Sequence, residues 1–210
     1  MKYVYFVRHG ESGANEKQIH GMGHHPLTKK GFEQAGFIAE RLSKLPIQKV
    51  ISSDMLRAKQ TAEAVIQKIG VPFEVHEGLG EIRGPSEFNE RGINDPEVVD
   101  AFKKLNDEMA PGVRQSDEEN FDDLIERARK ALDLFIQQPE DHLAVVTHGF
   151  FLRTMLAYAV FGPAITVNEL QGFMHGFKSQ NTGLTVLEYR AESPKWKWRI
   201  FVWNDHAHLG

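Results

Sequence analysis

Val4-Tyr5-Phe6-Val7-Arg8-His9-Gly10-Glu11-Ser12 is the stretch whose reading decides the fold. Four apolar residues run directly into an arginine, a histidine and a glycine. A short apolar run bounded by glycine reads as a buried strand, starting at about Tyr3. Its C-terminal end would deliver Arg8 and His9 to a sheet edge, where ligands bind in open α/β folds. The pattern recurs once, as Leu143-Ala144-Val145-Val146-Thr147 ending on His148-Gly149. If the two strands are parallel, His9 and His148 leave the sheet at one edge and can face each other.

Working outward, residues 11–28 have no clear period and hold Gly13, Gly21, Gly23 and Pro26, which reads as a loop over the strand end. Thr28 is a candidate cap for a helix whose inner positions are Phe32, Ala35, Ile38, Ala39, Leu42 and Leu45, stopped by Pro46. A strand over 49–52 follows. Ser53 or Asp54 would cap a helix reaching Ile69, with Ala62, Val65, Ile66 and Ile69 inward and Gly70 and Pro72 at its end. A brief strand over 73–76 leads to Glu81. The pattern loosens from 83 to about 120, with one short helix expected over 96–109, and reads as an excursion from a single domain covering 1–210, a flap over the pocket. Phe121, Leu124, Ile125, Ala128, Leu132, Phe135 and Ile136 then keep the rhythm of a core-facing helix. Another helix should run from Gly149 to about Phe161. Two late strands, 184–189 and 196–203, should form a hairpin, with Trp196, Trp198, Ile200 and Val202 on one face.

The chemistry follows from what converges. Arg57 lies early on a helix whose preceding strand ends at the same sheet edge. Two arginines and two histidines around one point suit a dianionic phosphoryl group, through charge-assisted and bidentate hydrogen bonds. A neutral imidazole can be the nucleophile, giving a phosphohistidine. The leaving oxygen then needs a proton, and a carboxylic acid in the cleft with its pKa raised by burial would serve; Glu81 is placed for it.

Composition narrows the alternatives. The 210 residues carry a formal charge of −4 and no cysteine. Nothing global attracts nucleic acid or an anionic membrane surface, so a positive site must be local. Disulfides, thiolate nucleophiles and cysteine-ligated metals are excluded. No apolar run approaches the roughly 20 residues of a membrane helix, and no secretory leader is visible before the first strand; the expectation is a cytoplasmic protein. His20, His24, His25, His206 and His208 invite a metal reading, but His24 and His25 are adjacent and diverge, with no carboxylate at a ligand spacing. The expectation is no metal and no cofactor. The three tryptophans read as packing.

Taken together, Arg8-His9-Gly10-Glu11-Ser12 with Asn15, then Pro26-Leu27-Thr28, Gly31 and Gln34-Ala35, then Ser52-Ser53-Asp54, Arg57-Ala58 and Gln60-Thr61-Ala62, then Leu79-Gly80-Glu81, then Thr147-His148-Gly149, resemble the histidine phosphatase superfamily in its phosphoglycerate-mutase-like branch. Asn204-Asp205 and His208-Leu209 also resemble the tail of many members. The resemblance implies a three-layer α/β/α fold with a mostly parallel sheet. It implies His9 as the phosphorylated nucleophile, Arg8, Arg57 and His148 as phosphate ligands, Asn15 as a further donor to the phosphoryl oxygens, Glu81 as proton donor, and no metal. Gly21 and Arg83 are additional substrate-contacting candidates, from the segments 21–25 and 83–115 that should select the substrate. The chain departs from the family at His24-His25 before Pro26 and at Ile82-Arg83-Gly84 after the acid, which leaves Glu77 and Glu87 as alternative acids. Arg153 reads as a structural ion pair.

The expected activity is a metal-independent phosphomonoesterase acting through a phosphohistidine on a small phosphorylated metabolite. A phosphoglycerate-mutase-type transfer and a non-catalytic phospholigand-binding protein are the alternatives. The stretch 84–120 lacks the Trp, Tyr and paired Arg seen in cofactor-dependent mutases. An alternating late strand offers an edge for a homodimer.

Overall fold

The computed structural model describes residues 1–21 and 24–210. Its frame is one six-stranded sheet in the order β3-β2-β4-β1-β5-β6. The strands are β1 (Lys2–Arg8), β2 (Lys49–Ser52), β3 (Phe73–Val75), β4 (His142–Thr147), β5 (Leu184–Tyr189) and β6 (Trp198–Asp205). The first four are mutually parallel, and β5 runs antiparallel to both its neighbours. The expected mostly parallel α/β architecture therefore holds.

Alternation along the strands builds two cores. Val4 and Phe6 of β1, with Leu143 and Val145 of β4, point to one face, where α5 (Phe121–Gln137), α6 (Gly149–Phe161) and α7 (Val167–Gly176) cover them. Tyr5 and Val7, with Ala144 and Val146, point to the other, under α2 (Lys29–Leu42) and α3 (Leu56–Ile69). Both strands are buried on both faces, which is why they read as continuous apolar runs rather than as alternating ones.

Several local expectations are met. The Thr28 side chain accepts the Gly31 N–H at 3.1 Å and caps α2. Gly70 ends α3 at φ 74°, a left-handed position that favours glycine. The helix expected over 96–109 is α4 (Pro96–Asp107), with Pro96 in its first turn and Asp95 accepting the Glu97 N–H. This helix belongs to the excursion 83–120, which lies over the end of the sheet.

Other expectations are corrected. Neither Ser53 nor Asp54 caps α3; the cap position is Met55, and Ser53 Oγ accepts the Met55 N–H at 3.2 Å. The stretch after β1 is not all loop: α1 (Gly13–Lys17) forms there, tied by a reciprocal bond network between Ser12 and Asn15. Phe32 is half exposed rather than core, because the first turn of α2 lies against the main chain of Gly10 and Glu11 instead of the sheet. Val202 does not share a face with Trp198 and Ile200. A bulge lets Val202 pair with Val186 while Ile200 pairs with Leu187, so Val202 joins the second core and Phe201 stands 68% exposed. Trp196 lies before the strand and is exposed. Helix α7 has no counterpart in the sequence reading.

Candidate active site

The β1–β4 register sets Arg8 beside Thr147. The His9 N–H donates to Thr147 O at 2.9 Å, so the next residue on each strand, His9 and His148, emerges at the same edge. Their ring centroids are 5.0 Å apart and the rings are tilted by 56°. Both imidazoles are buried, at 3% and 0% exposure.

His9 is oriented from both ends. Its Nδ1 lies 2.7 Å from Gly10 O, which only a protonated Nδ1 can satisfy. Nε2 is then unprotonated, and it accepts from Arg57 Nε at 3.2 Å. Burial, reinforced by the charges of Arg57 and Arg8, holds the His9 pKa well below the usual 6.5. The ring is therefore neutral at pH 7, with the Nε2 lone pair turned to the Arg57 N–H. His148 is lowered in the same direction, by burial first and then by His9, Arg57 and Arg8. Its Nε2 sits 2.9 Å from Ser53 Oγ.

Arg57, in the first turn of α3, is 4% exposed. Arg8 reaches across to Ser179 O at 2.6 Å. Burial lowers the pKa of both guanidiniums, although both stay charged. Three buried polar atoms here have no partner among the described residues: Arg8 Nε, Arg57 Nη1 and His148 Nδ1. The two guanidinium N–H groups are donors, and His148 Nδ1 is one when Nε2 accepts the Ser53 hydroxyl; such groups are costly to bury unmatched. The arrangement is built to receive an acceptor, and two fixed cations make that acceptor an anion.

Asn15 lines the same cavity. Its Oδ1 is occupied by Ser12 and by Asn181 Nδ2 at 3.3 Å, so its amide N–H₂ is the end left for a ligand. Gly21 lines the wall where a side chain would collide with Ala14, at 2.6 Å. Met22 and Gly23, inside the expected selecting segment 21–25, lie outside the described residues. Arg83 stands at the rim with its side chain 66% exposed, 3.7 Å from Glu119.

Among the three candidate acids, Glu81 alone lines the cavity that holds His9. Glu77 faces a neighbouring depression of about 470 Å³. The surroundings of Glu81 differ from the apolar setting expected of it. Its carboxylate accepts the N–H groups of Phe150 (3.2 Å), Phe151 (3.0 Å) and Ile82 (3.0 Å). Two of these belong to the first turn of α6, which directly follows His148. The loop before it is also pinned: Arg127 Nη1 donates to Gly80 O at 2.7 Å and Thr147 Oγ1 to Leu79 O at 2.7 Å.

Among the described residues Arg153 has no ion-pair partner, against expectation. It donates to the carbonyls of Gly149, Met174 and Phe177 and closes the C-terminal end of α7 onto α6.

Sequence reasoning named the convergent side chains but not those that hold them. Gly10 N–H donates to Thr61 Oγ1 (3.0 Å), Glu11 N–H to Gln34 Oε1 (2.8 Å) and Leu27 N–H to Gln60 Oε1 (2.8 Å). A Cβ on Gly31 would lie 2.0 Å from Glu11 O. These contacts explain why Gly31, Gln34, Gln60 and Thr61 appear among the recognisable motifs: they clamp the loop that carries His9. Asn181, donating to His9 O at 2.9 Å, went unnoticed, and only the turn-forming Asn-Thr-Gly run around it could have drawn attention.

Comparisons with known proteins give the family and the fold. The sequence model of the histidine phosphatase superfamily (branch 1) matches residues 4–206. A probable phosphoglycerate mutase GpmB of Serratia proteamaculans is 32% identical over 223 residues, covering 100% of this chain and 95% of the relative. Among solved structures, YhfR of Bacillus stearothermophilus superposes with a TM-score of 0.83 at 25% identity, over 100% of both chains. The mycobacterial glucosyl-3-phosphoglycerate phosphatase complexed with VO3 gives 0.80 at 20% identity, over 98% of this chain and 100% of the other, and shares the fold.

Proposed function

Since the chain belongs to the histidine phosphatase superfamily, branch 1, we propose that it is a metal-independent phosphomonoesterase acting through a phosphohistidine on His9. The observation that carries this reading is the fixed tautomer of His9, with Nε2 unprotonated beside two guanidinium donors that have no partner among the described residues, Arg8 Nε and Arg57 Nη1.

In this reading the phosphoryl group of a monoester sits between Arg8, Arg57 and His148, with the Asn15 amide as a further donor. The cations neutralise its equatorial oxygens, so the chemistry needs mainly alignment and charge stabilisation. His9 Nε2 attacks phosphorus in line, and the P–O bond to the alcohol breaks. Glu81 in its acid form gives its proton to the departing oxygen. Water then attacks the phosphohistidine, passing a proton to the Glu81 carboxylate, and phosphate leaves as the Nε2 lone pair is restored. Gly21 and Arg83 contact the alcohol side.

The curated relatives named probable phosphoglycerate mutases keep a transferase reading in view. The wall opposite His9 favours hydrolysis: among the described lining residues its one arginine is Arg83, at the rim. A mutase must hold a second anionic group of its substrate while the phosphoryl group is returned.

The test is His9→Ala assayed against a panel of phosphomonoesters with and without EDTA, together with acid quench of the wild-type enzyme on a ³²P-labelled substrate. The expected result is EDTA-insensitive phosphate release, acid-labile and base-stable labelling, and loss of both in the variant. Turnover by His9→Ala near the wild-type rate overturns the assignment. Interconversion of phosphoglycerates in the presence of bisphosphoglycerate, without phosphate release, would select the mutase reading.

A further inference from the structure

The His9 cavity is far larger than a phosphoryl group requires. Its volume is about 440 Å³, within the range of roughly 300–1,000 Å³ typical of sites for drug-sized ligands. The part that remains beyond Arg8 and Arg57 must house the alcohol.

The character of that part is decided by the excursion 83–120. Antiparallel pairing of Ile19 with Gly92 fastens it to the segment after α1, and α4 turns Phe102 inward. Phe102 stacks flat on His20, with centroids 4.3 Å apart and planes at 6°. It lies so close to Gly84 that a Cβ there would meet its ring at 2.9 Å. Phe88 packs 6.1 Å from it. Leu105 and Met109 of the same excursion, with Phe150 at the start of α6, extend the apolar lining.

Charge in this half is of the wrong sign for a second anion. Arg83, mostly exposed, is the one cation among the described lining residues away from the phosphoryl end. Glu108, Glu118 and Glu119 also line it, the last two about 5% exposed. They are fixed in place: Glu118 takes the N–H groups of Gln115 and Ser116, and Glu119 pairs with Arg127. Burial lowers the pKa of His20 below its usual 6.5, so that ring adds no positive charge at pH 7. A second phosphate or carboxylate bound here would face three glutamates with the exposed Arg83 as its one cationic partner among the described lining residues, which is costly; an aromatic or branched alkyl group would be favoured by its contacts with Phe88, Phe102, Leu105, Met109 and Phe150.

We infer that the substrate is a monoester of a bulky apolar alcohol, aromatic or branched alkyl, that carries no second anionic group. This rests on the phosphomonoesterase reading above and makes phosphoglycerates and other two-anion metabolites poor substrates.

The experiment compares kcat/KM for 1-naphthyl phosphate, phenyl phosphate, 4-carboxyphenyl phosphate and 3-phosphoglycerate, in the wild-type chain and in Phe102→Ala and Val113→Lys. The carboxyphenol is a better leaving group than phenol, so chemistry alone would favour its ester. The expected order is naphthyl over phenyl by about tenfold, and phenyl over carboxyphenyl by about tenfold or more. Phe102→Ala should reduce the naphthyl preference by several fold. Val113, 43% exposed on the cavity wall, tolerates a lysine, and Val113→Lys should raise kcat/KM for the carboxyphenyl ester about tenfold relative to phenyl. His9-dependent turnover of 3-phosphoglycerate or the carboxyphenyl ester at or above the naphthyl rate overturns the inference and leaves the phosphatase reading standing. Absence of His9-dependent phosphate release from every monoester overturns both.

Discussion

Thr61→Val tests whether the loop clamp sets the reactivity of His9. Thr61 is fully buried on α3; its Oγ1 accepts the Gly10 N–H at 3.0 Å and donates to Arg57 O at 2.8 Å. Valine keeps the shape and removes the acceptor, leaving the Gly10 N–H buried without a partner. That costs about 1–3 kcal/mol, a fall in melting temperature of about 2–12 °C for a chain of this size. The kinetic effect is separate. Gly10 also supplies the carbonyl that holds the Nδ1 proton of His9. That carbonyl belongs to the next peptide unit, held by Glu11 N–H on Gln34. A shift of the Gly10 N–H reaches it through the Gly10 backbone dihedrals, and a displaced carbonyl lets the proton move to Nε2, the proposed attacking atom. If the wrong tautomer reaches nine in ten molecules, kcat falls about tenfold, equivalent to roughly 1.4 kcal/mol. The assay is kcat and KM on 4-nitrophenyl phosphate beside Thr61→Ser, which keeps the hydroxyl, with the His9 tautomer read from ¹⁵N chemical shifts. A Thr61→Val enzyme with kcat within twofold of Thr61→Ser and an unchanged tautomer would refute the reasoning.

Glu81→Gln should lower kcat by about 100-fold or more on alkyl phosphates and much less on 4-nitrophenyl phosphate, whose leaving group departs without a proton; equal losses on both would remove Glu81 from the acid role, and Glu77→Gln serves as the control. The buried neutral histidines should also make stability pH-dependent. The pKa values of His9 and His148 lie below their usual 6.5 in the folded chain, so below that pH the unfolded chain binds more protons and stability falls as pH falls. The melting temperature should drop between pH 7 and 5, and His148→Asn should flatten the slope; an identical slope in that variant would contradict the linkage.

The sheet was legible because burial on both faces leaves an unbroken apolar run, and because a strand that must present a side chain at its end closes on a small residue. The same logic located His9 and His148. What escaped notice is written in weaker signals. Helix α7 contains Gly172 and Gly176, which oppose helix formation, and only the capping pair Thr166 and Glu169 marks its start. The bulge in β6 inverts the alternation at Phe201, and no residue type announces it. Arg8 is steadied by a main-chain carbonyl, Ser179 O, a contact that any residue at position 179 could make and that leaves no trace in sequence. Glu81 was found by its position after β3, whereas the N–H groups that hold it come from 69 and 70 residues further on.

His9 and His148 stand 139 positions apart in the chain, yet one ladder of hydrogen bonds between β1 and β4 brings them together. No local segment can assemble the pair in advance: closing so long a loop costs entropy before any contact repays it. Competence to bind an oxyanion therefore arrives late as the polypeptide condenses, with the zippering of these two central strands. During refolding, recovery of oxyanion binding is a clock for that single event, and helix content should return ahead of it.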